Sequence, residues 1–330
     1  MGRESTFADA RIIDLIKTRF VPVAADDWYQ RRRDDDEGIF FRKVADQGPR
    51  KGVGGSTRQG IYAFTAAGKL LGYRNHPDAD VMHGFMRDAI KAWDKLPAED
   101  RAKGAVAVGE VKKVDAAYAR TPPKGGLIVN VFTRILERTD DFYCHGTCKF
   151  PGGDKAAHDR LWLTADELQA LMPKDAKVGQ EVSIPPSVAY RLARFHLVDN
   201  TRGEPPMWSK QQVRSLTLKL VAEAINTDEV RMKLTGAVLL SSDADVKASH
   251  RGYDVSLIGE IRYDPVARKM TRFNAVVLGD HWGSGPFTGG ARPGRAPLGI
   301  ALELADPARA ADLVPPQAAR ESSAYFRAEC

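Results

Sequence analysis

The second half of the chain alternates between apolar and polar residues over several long stretches. Leu216, Leu218 and Leu220 recur at every second position. Alternation with period two is typical of a strand that buries one face and exposes the other. The stretches with this character predict strands over residues 213–225, 230–241, 253–263 and 270–278.

Short polar turns connect these strands in pairs. Asn226-Thr227-Asp228 joins the first pair, and the segment from Asp264 to Lys269 joins the second. Connections of this length join antiparallel neighbours. Further apolar strands are predicted over 127–136 and 298–304, so the pattern predicts an antiparallel sheet.

Helical patterns interrupt the strands at two places. Thr164 is followed three residues later by Glu167, the spacing of a capping box at the start of a helix. Further on, Val188 and Leu192 begin a run of apolar residues at helical spacing, which predicts a helix over 185–196. The sheet and the two helices together predict an α+β domain.

The first part of the chain has shorter helices and strands. Residues 7–24 predict a helix that runs into a buried strand, and residues 35–46 predict a second helix. The strand begins at Phe20-Val21-Pro22-Val23. The residues of the second helix that are predicted to face inward are Ile39, Phe40, Phe41 and Val44. The remaining elements are a strand over 61–65, a hairpin turn at Ala66-Ala67-Gly68, a strand over 70–73 and a helix that Asp78 opens and that runs through Trp93.

Several segments of this part resemble a known family. They are Thr6-Phe7-Ala8-Asp9, Phe20-Val21-Pro22-Val23 with Asp26, the run GIYAFTAAGKLLGYR that begins at Gly60, and the closing helix from Ala79 to Trp93. Taken together, they resemble the later part of a thioredoxin-like domain. The resemblance implies a thioredoxin-like scaffold for the first 96 residues.

The parts of that family that exchange disulfides have no counterpart here. The first strand and helix, which carry the family's Cys-x-x-Cys, are missing, and residues 1–143 contain no cysteine. Thr57-Arg58-Gln59-Gly60 stands where the family has a cis-proline. The resemblance therefore implies a scaffold without exchange activity, or a chain that starts downstream of the true beginning. In the second case a redox role is the better expectation.

Proline and glycine mark the boundaries between domains. Pro97 precedes a charged run, and Pro122-Pro123-Lys124-Gly125-Gly126 breaks any regular element. The predicted fold class is a two-domain protein of mixed α+β and α/β type. Its parts are an incomplete thioredoxin-like domain over 1–96, a linker over 97–124, an antiparallel-sheet α+β domain over 125–305 and a tail over 306–330.

Charge argues against a nucleic-acid partner. The net charge is +6, but the excess is divided evenly between residues 1–97 and the remainder. The basic run Arg31-Arg32-Arg33 is followed directly by acidic residues. No apolar run is long enough to span a membrane, and Met1 is followed by polar residues where a signal peptide would have an apolar core. The sequence predicts a soluble protein of unassigned location.

Two polar loops carry the first set of candidate site residues. The first loop follows the 185–196 helix and runs to Trp208, and the second is Gly279 to Gly283 at the end of an apolar strand. Imidazole and carboxylate groups suit general acid–base catalysis or a hard metal ion. The candidates for this role are His196, Asp199, Arg202, Glu204, Asp280 and His281. The alternative is that Arg202 pairs with a neighbouring carboxylate and only fastens the loop.

A third segment has the residue types of a metal site. Cys144, His145 and Cys148 lie within five residues in a glycine-rich stretch. Thiolate and imidazole are ligands for Zn, Cu or Fe, so the expected cofactor is one of these metals or none. A disulfide between the two cysteines and two free thiols are the alternatives.

Two functions from different classes fit these observations. The first is a thiol- or metal-dependent protein on a thioredoxin-like scaffold, with redox or metal-assisted activity in the second domain. The second is a non-catalytic protein that binds a small molecule or a protein partner through the loops 196–208 and 279–295. Arg292 and Arg295 in the second loop could meet an anion. Candidate side chains that converge on one site would favour the first function. Candidate side chains that are dispersed over the surface would favour the second.

Overall fold

The computed structural model of the chain describes residues 6–7, 9–52, 56–103, 113–118, 120–138, 156–173, 175–288 and 290–330, with the backbone alone at 143–144. The chain divides into two compact units, Met1–Arg120 and Thr121–Cys330. This division falls inside the interval 97–124, for which the sequence predicts a linker. In the part of the chain described, no helix has the length and apolar character needed to cross a membrane.

The first unit consists of helices around one hairpin. Its helices are α1 (Ala10–Arg19), α2 (Asp27–Gln30), α3 (Asp36–Ala45), α4 (Ala79–Asp94) and α5 (Ala98–Arg101). Its strands β1 (Ile61–Phe64) and β2 (Leu70–Arg74) pair antiparallel. The predicted cap at Asp78 is confirmed, because its side chain accepts a hydrogen bond from the amide of Val81 at 2.9 Å.

A small apolar core holds this unit together. Ile12 of α1, Ala63 of β1 and the α4 residues Met82 and Phe85 lie in one buried cluster. These residues face inward because apolar positions three and four apart share one side of a helix. The hairpin thus packs against α1 and α4.

Two predictions in this unit are wrong. Residues 20–23 do not form a strand, and Val21 and Val23 are 91% and 77% exposed. Pro22 has no amide to donate to a ladder, and among the described residues β1 and β2 pair only with each other. Ile39 of α3 is 54% exposed and does not face inward, whereas Val44 on the same helix is buried. The wider resemblance to a thioredoxin-like domain stays a prediction.

The second unit is built on one large sheet. Its strands are β3 (Leu127–Ile135), β4 (Glu137–Arg138), β5 (Tyr143–Cys144), β6 (Ala156–Leu163), β7 (Glu181–Val182), β8 (Val213–Ile225), β9 (Val230–Ser241), β10 (Gly252–Asp264), β11 (Lys269–Trp282) and β12 (Ala296–Leu304). Eight of them form an antiparallel sheet in the order β6-β3-β12-β11-β10-β9-β8-β7, and β4 and β5 pair separately. The predicted antiparallel sheet and the mixed α+β class are confirmed.

Helical segments cover one face of the large sheet. They are α6 (Ala165–Ala170), α7 (Pro186–Arg191), a π-helical turn over Leu192–His196 that continues α7, and α8 (Ser322–Phe326). The predicted capping box of α6 is confirmed at Thr164 and Glu167. Leu192 and Leu197 belong to the same buried cluster as Val255 and Val277 of the sheet. The face of the sheet that these segments cover is therefore apolar.

The C-terminal segment is part of the second unit and not a loose tail. Ala319, Tyr325 and Ala328 are fully buried. Arg191, itself fully buried, donates hydrogen bonds to the carbonyl oxygens of Tyr325 at 2.8 Å and Phe326 at 3.1 Å. The alanine-rich sequence has little periodic pattern, so the sequence gives little sign of this packing.

Candidate functional site

Three of the predicted site residues lie around one small cleft. The loop after the π-helical turn brings Asp199 and Arg202 to it, and the end of β11 brings His281. Trp208 and Arg251 also line this cleft, which has room for about one water molecule. In this form the cleft is too small for an organic substrate.

Hydrogen bonds within the first loop fix the Asp199 carboxylate. It accepts hydrogen bonds from the amide of Thr201 at 3.0 Å, from the Thr201 hydroxyl at 2.6 Å and from Arg202 Nε at 2.6 Å. An aspartate that bonds to the backbone two residues later is a common loop stabiliser. The observed Arg202–Asp199 pair therefore agrees with the alternative interpretation, in which Arg202 and a neighbouring carboxylate stabilise the loop.

A close approach of two backbones joins this loop to the segment after β11. Gly203 forms an isolated antiparallel bridge with Thr288. Its φ is +152°, and a Cβ atom at this position would lie 2.1 Å from the carbonyl oxygen of Phe287. Glycine is required here because any side chain would separate the two segments.

His281 is neutral near pH 7. Burial lowers the pKa of His281 to about 4, although the charge of Asp199 acts in the opposite direction. Burial would raise the pKa of Asp199, but three effects outweigh it: the charge that His281 gains when it is protonated at low pH, the charge of Arg202, and the hydrogen bonds from Thr201 and Arg202. The pKa of Asp199 therefore lies below its usual range. The pair is therefore a neutral imidazole near an ionised carboxylate.

His196 belongs to a different cluster. Its Nε2 lies 2.9 Å from the hydroxyl of Tyr325, and its Nδ1 lies 3.3 Å from Asp159 Oδ2. The Tyr325 hydroxyl also accepts a hydrogen bond from the amide of Trp162 at 3.0 Å. His196 and Tyr325 are almost fully buried. This cluster connects the C-terminal segment to the sheet.

The other two acidic candidates lie at the surface. Glu204 forms an ion pair with Arg320, and Asp280 forms one with Arg138. Exposed pairs of this kind contribute little to stability. Neither carboxylate lines the small cleft.

The predicted loop at Gly279 to Gly283 is largely strand. β11 continues to Trp282, and His281 pairs with Tyr253 across the ladder. Pairing with β10 holds these residues extended, so the strand continues through Gly279 and ends at Trp282, directly before Gly283. This prediction is wrong in its boundary, although His281 does reach a site.

The predicted metal ligands lie largely outside the described residues. Cys144 is seen as backbone in β5, opposite Glu137, and His145 and Cys148 are outside the described ranges. Among the residues that are described, no group of three or more His, Cys, Asp or Glu side chains could hold a metal ion. The cysteine–histidine site stays a prediction.

A larger groove lies beside Trp282 and Gly283, at the end of β11. It has a volume of about 370 Å³, and Lys247, Ser249, Trp282, Arg292 and Arg295 line it. The sequence points to the two arginines but not to Lys247 or Ser249, which lie in the β9–β10 connection and carry no recognisable motif. Folding alone brings them to the groove.

The groove has an ordered aromatic and cationic wall. The guanidinium carbon of Arg295 lies 3.9 Å from the centroid of the Trp282 ring. Trp282 Nε1 donates to the Ser249 hydroxyl at 3.0 Å, which fixes the indole. Arg292 donates to the carbonyl oxygens of Leu136 and Pro297, both at 2.7 Å. No acidic residue stands among the described residues that line the groove.

Comparison with protein families, with characterised proteins and with solved structures finds no match to this chain. The observations that bear on function are therefore the geometry and charge of the cleft and the groove. Of the two, the groove has the room for an organic ligand.

Proposed function

We propose that this chain is a non-catalytic binding protein that holds an anionic ligand in the groove beside Trp282. The observation that carries the proposal is the joint presence of Lys247, Arg292 and Arg295 around a groove of about 370 Å³, with no carboxylate among the described residues that line it. A volume in this range suits a small organic molecule. The ligand class is a carboxylate- or phosphate-bearing compound.

Arg295 is the residue best suited to contact the anion. Its side chain is 41% exposed, and its recorded ion pair, with Asp254, is long at 3.8 Å. Stacking on Trp282 holds the guanidinium plane while its edge keeps N–H groups for a ligand. Arginine in this arrangement binds carboxylate and phosphate groups through two parallel hydrogen bonds.

Arg292 and Lys247 support the same chemistry in different ways. Arg292 donates to two carbonyl oxygens, which hold its guanidinium group at the groove. Lys247 is exposed, and its ammonium group can follow ligands of different shapes. A fixed cation and a mobile cation favour a ligand with more than one negative group.

A titration with inorganic pyrophosphate tests this function. The binding heat of the native chain is compared with that of Arg295→Gln at constant ionic strength and chloride concentration. We expect the variant to bind about tenfold more weakly, because it loses a charge-assisted hydrogen bond. Arg272→Gln is the control, since Arg272 is an exposed arginine of β11 that pairs with Glu260 outside the groove.

Equal affinity in the native chain and Arg295→Gln would contradict the proposal. An equal loss in Arg272→Gln would assign the binding to general surface charge. Absence of binding to the native chain would remove polyanions as the ligand class.

A further inference from the structure

The small cleft carries more buried positive charge than negative charge. Arg202 and Arg251 both line it and are only 5% and 7% exposed. Asp199 is the single carboxylate among its described lining residues, and His281 is neutral near pH 7. The cleft therefore holds two guanidinium groups but only one carboxylate among its described lining residues.

The Asp199 carboxylate is bonded to Arg202 and not to Arg251. Arg202 Nε donates to it at 2.6 Å, and Arg202 Nη2 donates to the carbonyl oxygen of Gly283 at 3.1 Å. The remaining nitrogen, Nη1 of Arg202, is buried and has no hydrogen-bond partner in the described part of the chain. Arg202 thus has a free donor at the cleft.

Arg251 has no carboxylate partner among the described residues. Its Nη1 donates to the carbonyl oxygen of Pro206 at 2.7 Å, and its guanidinium carbon lies 3.8 Å from the centroid of the Trp208 ring. A carbonyl and an indole stabilise a cation, but they do not neutralise it. Buried charges in proteins are normally paired with an opposite charge.

We propose that the cleft binds one small monovalent anion of the size of chloride, held by the guanidinium groups of Arg202 and Arg251. The cleft has room for about one water molecule, which suits a halide and excludes carboxylate or phosphate compounds. A water molecule could satisfy Nη1 of Arg202, but it would leave Arg251 without a counter-charge.

The bound anion connects two segments of the second unit. Arg202 belongs to the loop after the π-helical turn, and Arg251 directly precedes β10. An anion that contacts both would hold the loop against the sheet. Anion binding to the folded state alone raises the unfolding temperature by mass action. This site is independent of the proposed function of the groove.

Thermal unfolding of the full chain in chloride and in gluconate tests the proposal. Sodium chloride replaces sodium gluconate at constant ionic strength, so general screening is the same in both. Because gluconate is a carboxylate of the class proposed for the groove, the exchange is made in Arg295→Gln as well as in the native chain. We expect the unfolding temperature to rise with chloride and to level off, with a shift of about 2–4 °C at saturation. Bromide should act like chloride.

Arg251→Gln should abolish the difference between the two salts, and the control Arg272→Gln should keep it. The difference is measured within each variant, so a lower stability of Arg251→Gln does not affect the result. The same chloride response in Arg251→Gln as in the native chain would overturn the proposal, as would a native chain that does not respond.

A second measurement does not depend on any variant. Crystals of the native chain grown in sodium bromide should show an anomalous peak within hydrogen-bond distance of Arg202 and Arg251. Ordered crystals without a peak at this position would overturn the proposal. Arg295→Gln should keep the chloride response, so failure of the groove proposal and failure of this one are distinguishable.

Discussion

At the scale of single residues, burial decides what the candidate side chains can do. His196 and His281 are both buried, but their partners differ, since His196 contacts Tyr325 and His281 lies near Asp199. The sequence points to both histidines because each sits in a polar segment. It does not show that they enter separate clusters, because this depends on contacts between segments that are distant in the sequence. Arg251 lacks any motif and could be recognised only from the fold.

The low pKa of His281 makes stability depend on pH. Its folded pKa of about 4 lies below the ordinary value of 6.5, so the unfolded chain takes up a proton first as the pH falls. The contribution of His281 is therefore complete above pH 6.5 and is lost between pH 6.5 and 4. We expect a loss of roughly 2–4 kcal/mol in the free energy of unfolding over this window.

Urea unfolding at several pH values between 7 and 4.5 measures this loss. His281→Gln should show a smaller slope, because it has no proton to take up. His250→Gln is the control, since His250 is exposed. If His281→Gln keeps the native slope, another group causes the pH dependence. The low pKa of Asp199 places its titration below this window.

At the scale of elements, local patterns predict the strands and helices but not their neighbours. The alternation at Leu216 to Leu220 correctly predicts β8, and Thr164 correctly marks the start of α6. The pattern fails at Phe20–Val23, because an apolar stretch becomes a strand only when another strand pairs with it. It fails again at Asp280–His281, where pairing with β10 extends β11 past Gly279. Both errors arise because strand pairing, whether present or absent, depends on segments that are far apart in the sequence.

The C-terminal segment offers a prediction at this scale. Tyr325→Phe removes the hydroxyl that accepts from the amide of Trp162 and bonds with His196. Both partners would stay buried and lose a hydrogen bond. Since an unsatisfied buried polar group costs about 1–3 kcal/mol, the free energy of unfolding should fall by this amount.

Urea unfolding measures the loss, and limited proteolysis should show earlier cleavage after residue 306. Tyr190→Phe is the matched control, because it removes the same atom from a partly exposed ring. Equal stabilities of the two variants would mean that the Tyr325 hydroxyl does not hold the segment.

At the scale of the whole molecule, the sequence predicts the fold class, but its overall charge does not reveal the groove. The net charge of +6 is spread along the chain, and acidic residues directly follow the basic run Arg31-Arg32-Arg33. Folding nevertheless gathers Lys247, Arg292 and Arg295 at one groove. The mixed α+β class follows from the patterns of the two halves, whereas the groove follows from how the β9–β10 connection meets the end of β11. A charge count along the sequence cannot detect such a site.

The metal prediction also belongs to this scale, because it needs ligands from more than one segment. The predicted ligands are Cys144, His145 and Cys148, and a tetrahedral ion would require a fourth ligand from elsewhere. The metal alternative predicts that tag-free protein purified without chelators carries about one Zn, Cu or Fe ion per chain. Elemental mass spectrometry should show that Cys148→Ser loses the metal and that Cys330→Ser, which changes an exposed free cysteine, keeps it.

A metal-free native protein would contradict this expectation, and alkylation then separates the two remaining states. Thiols at Cys144 and Cys148 that react only after reduction indicate a disulfide, and thiols that react at once are free. In either case the proposed anionic-ligand groove is tested separately, because none of its described lining residues belongs to the cysteine–histidine segment. A stoichiometric metal that survives Arg295→Gln would instead show that the chain has two separate sites.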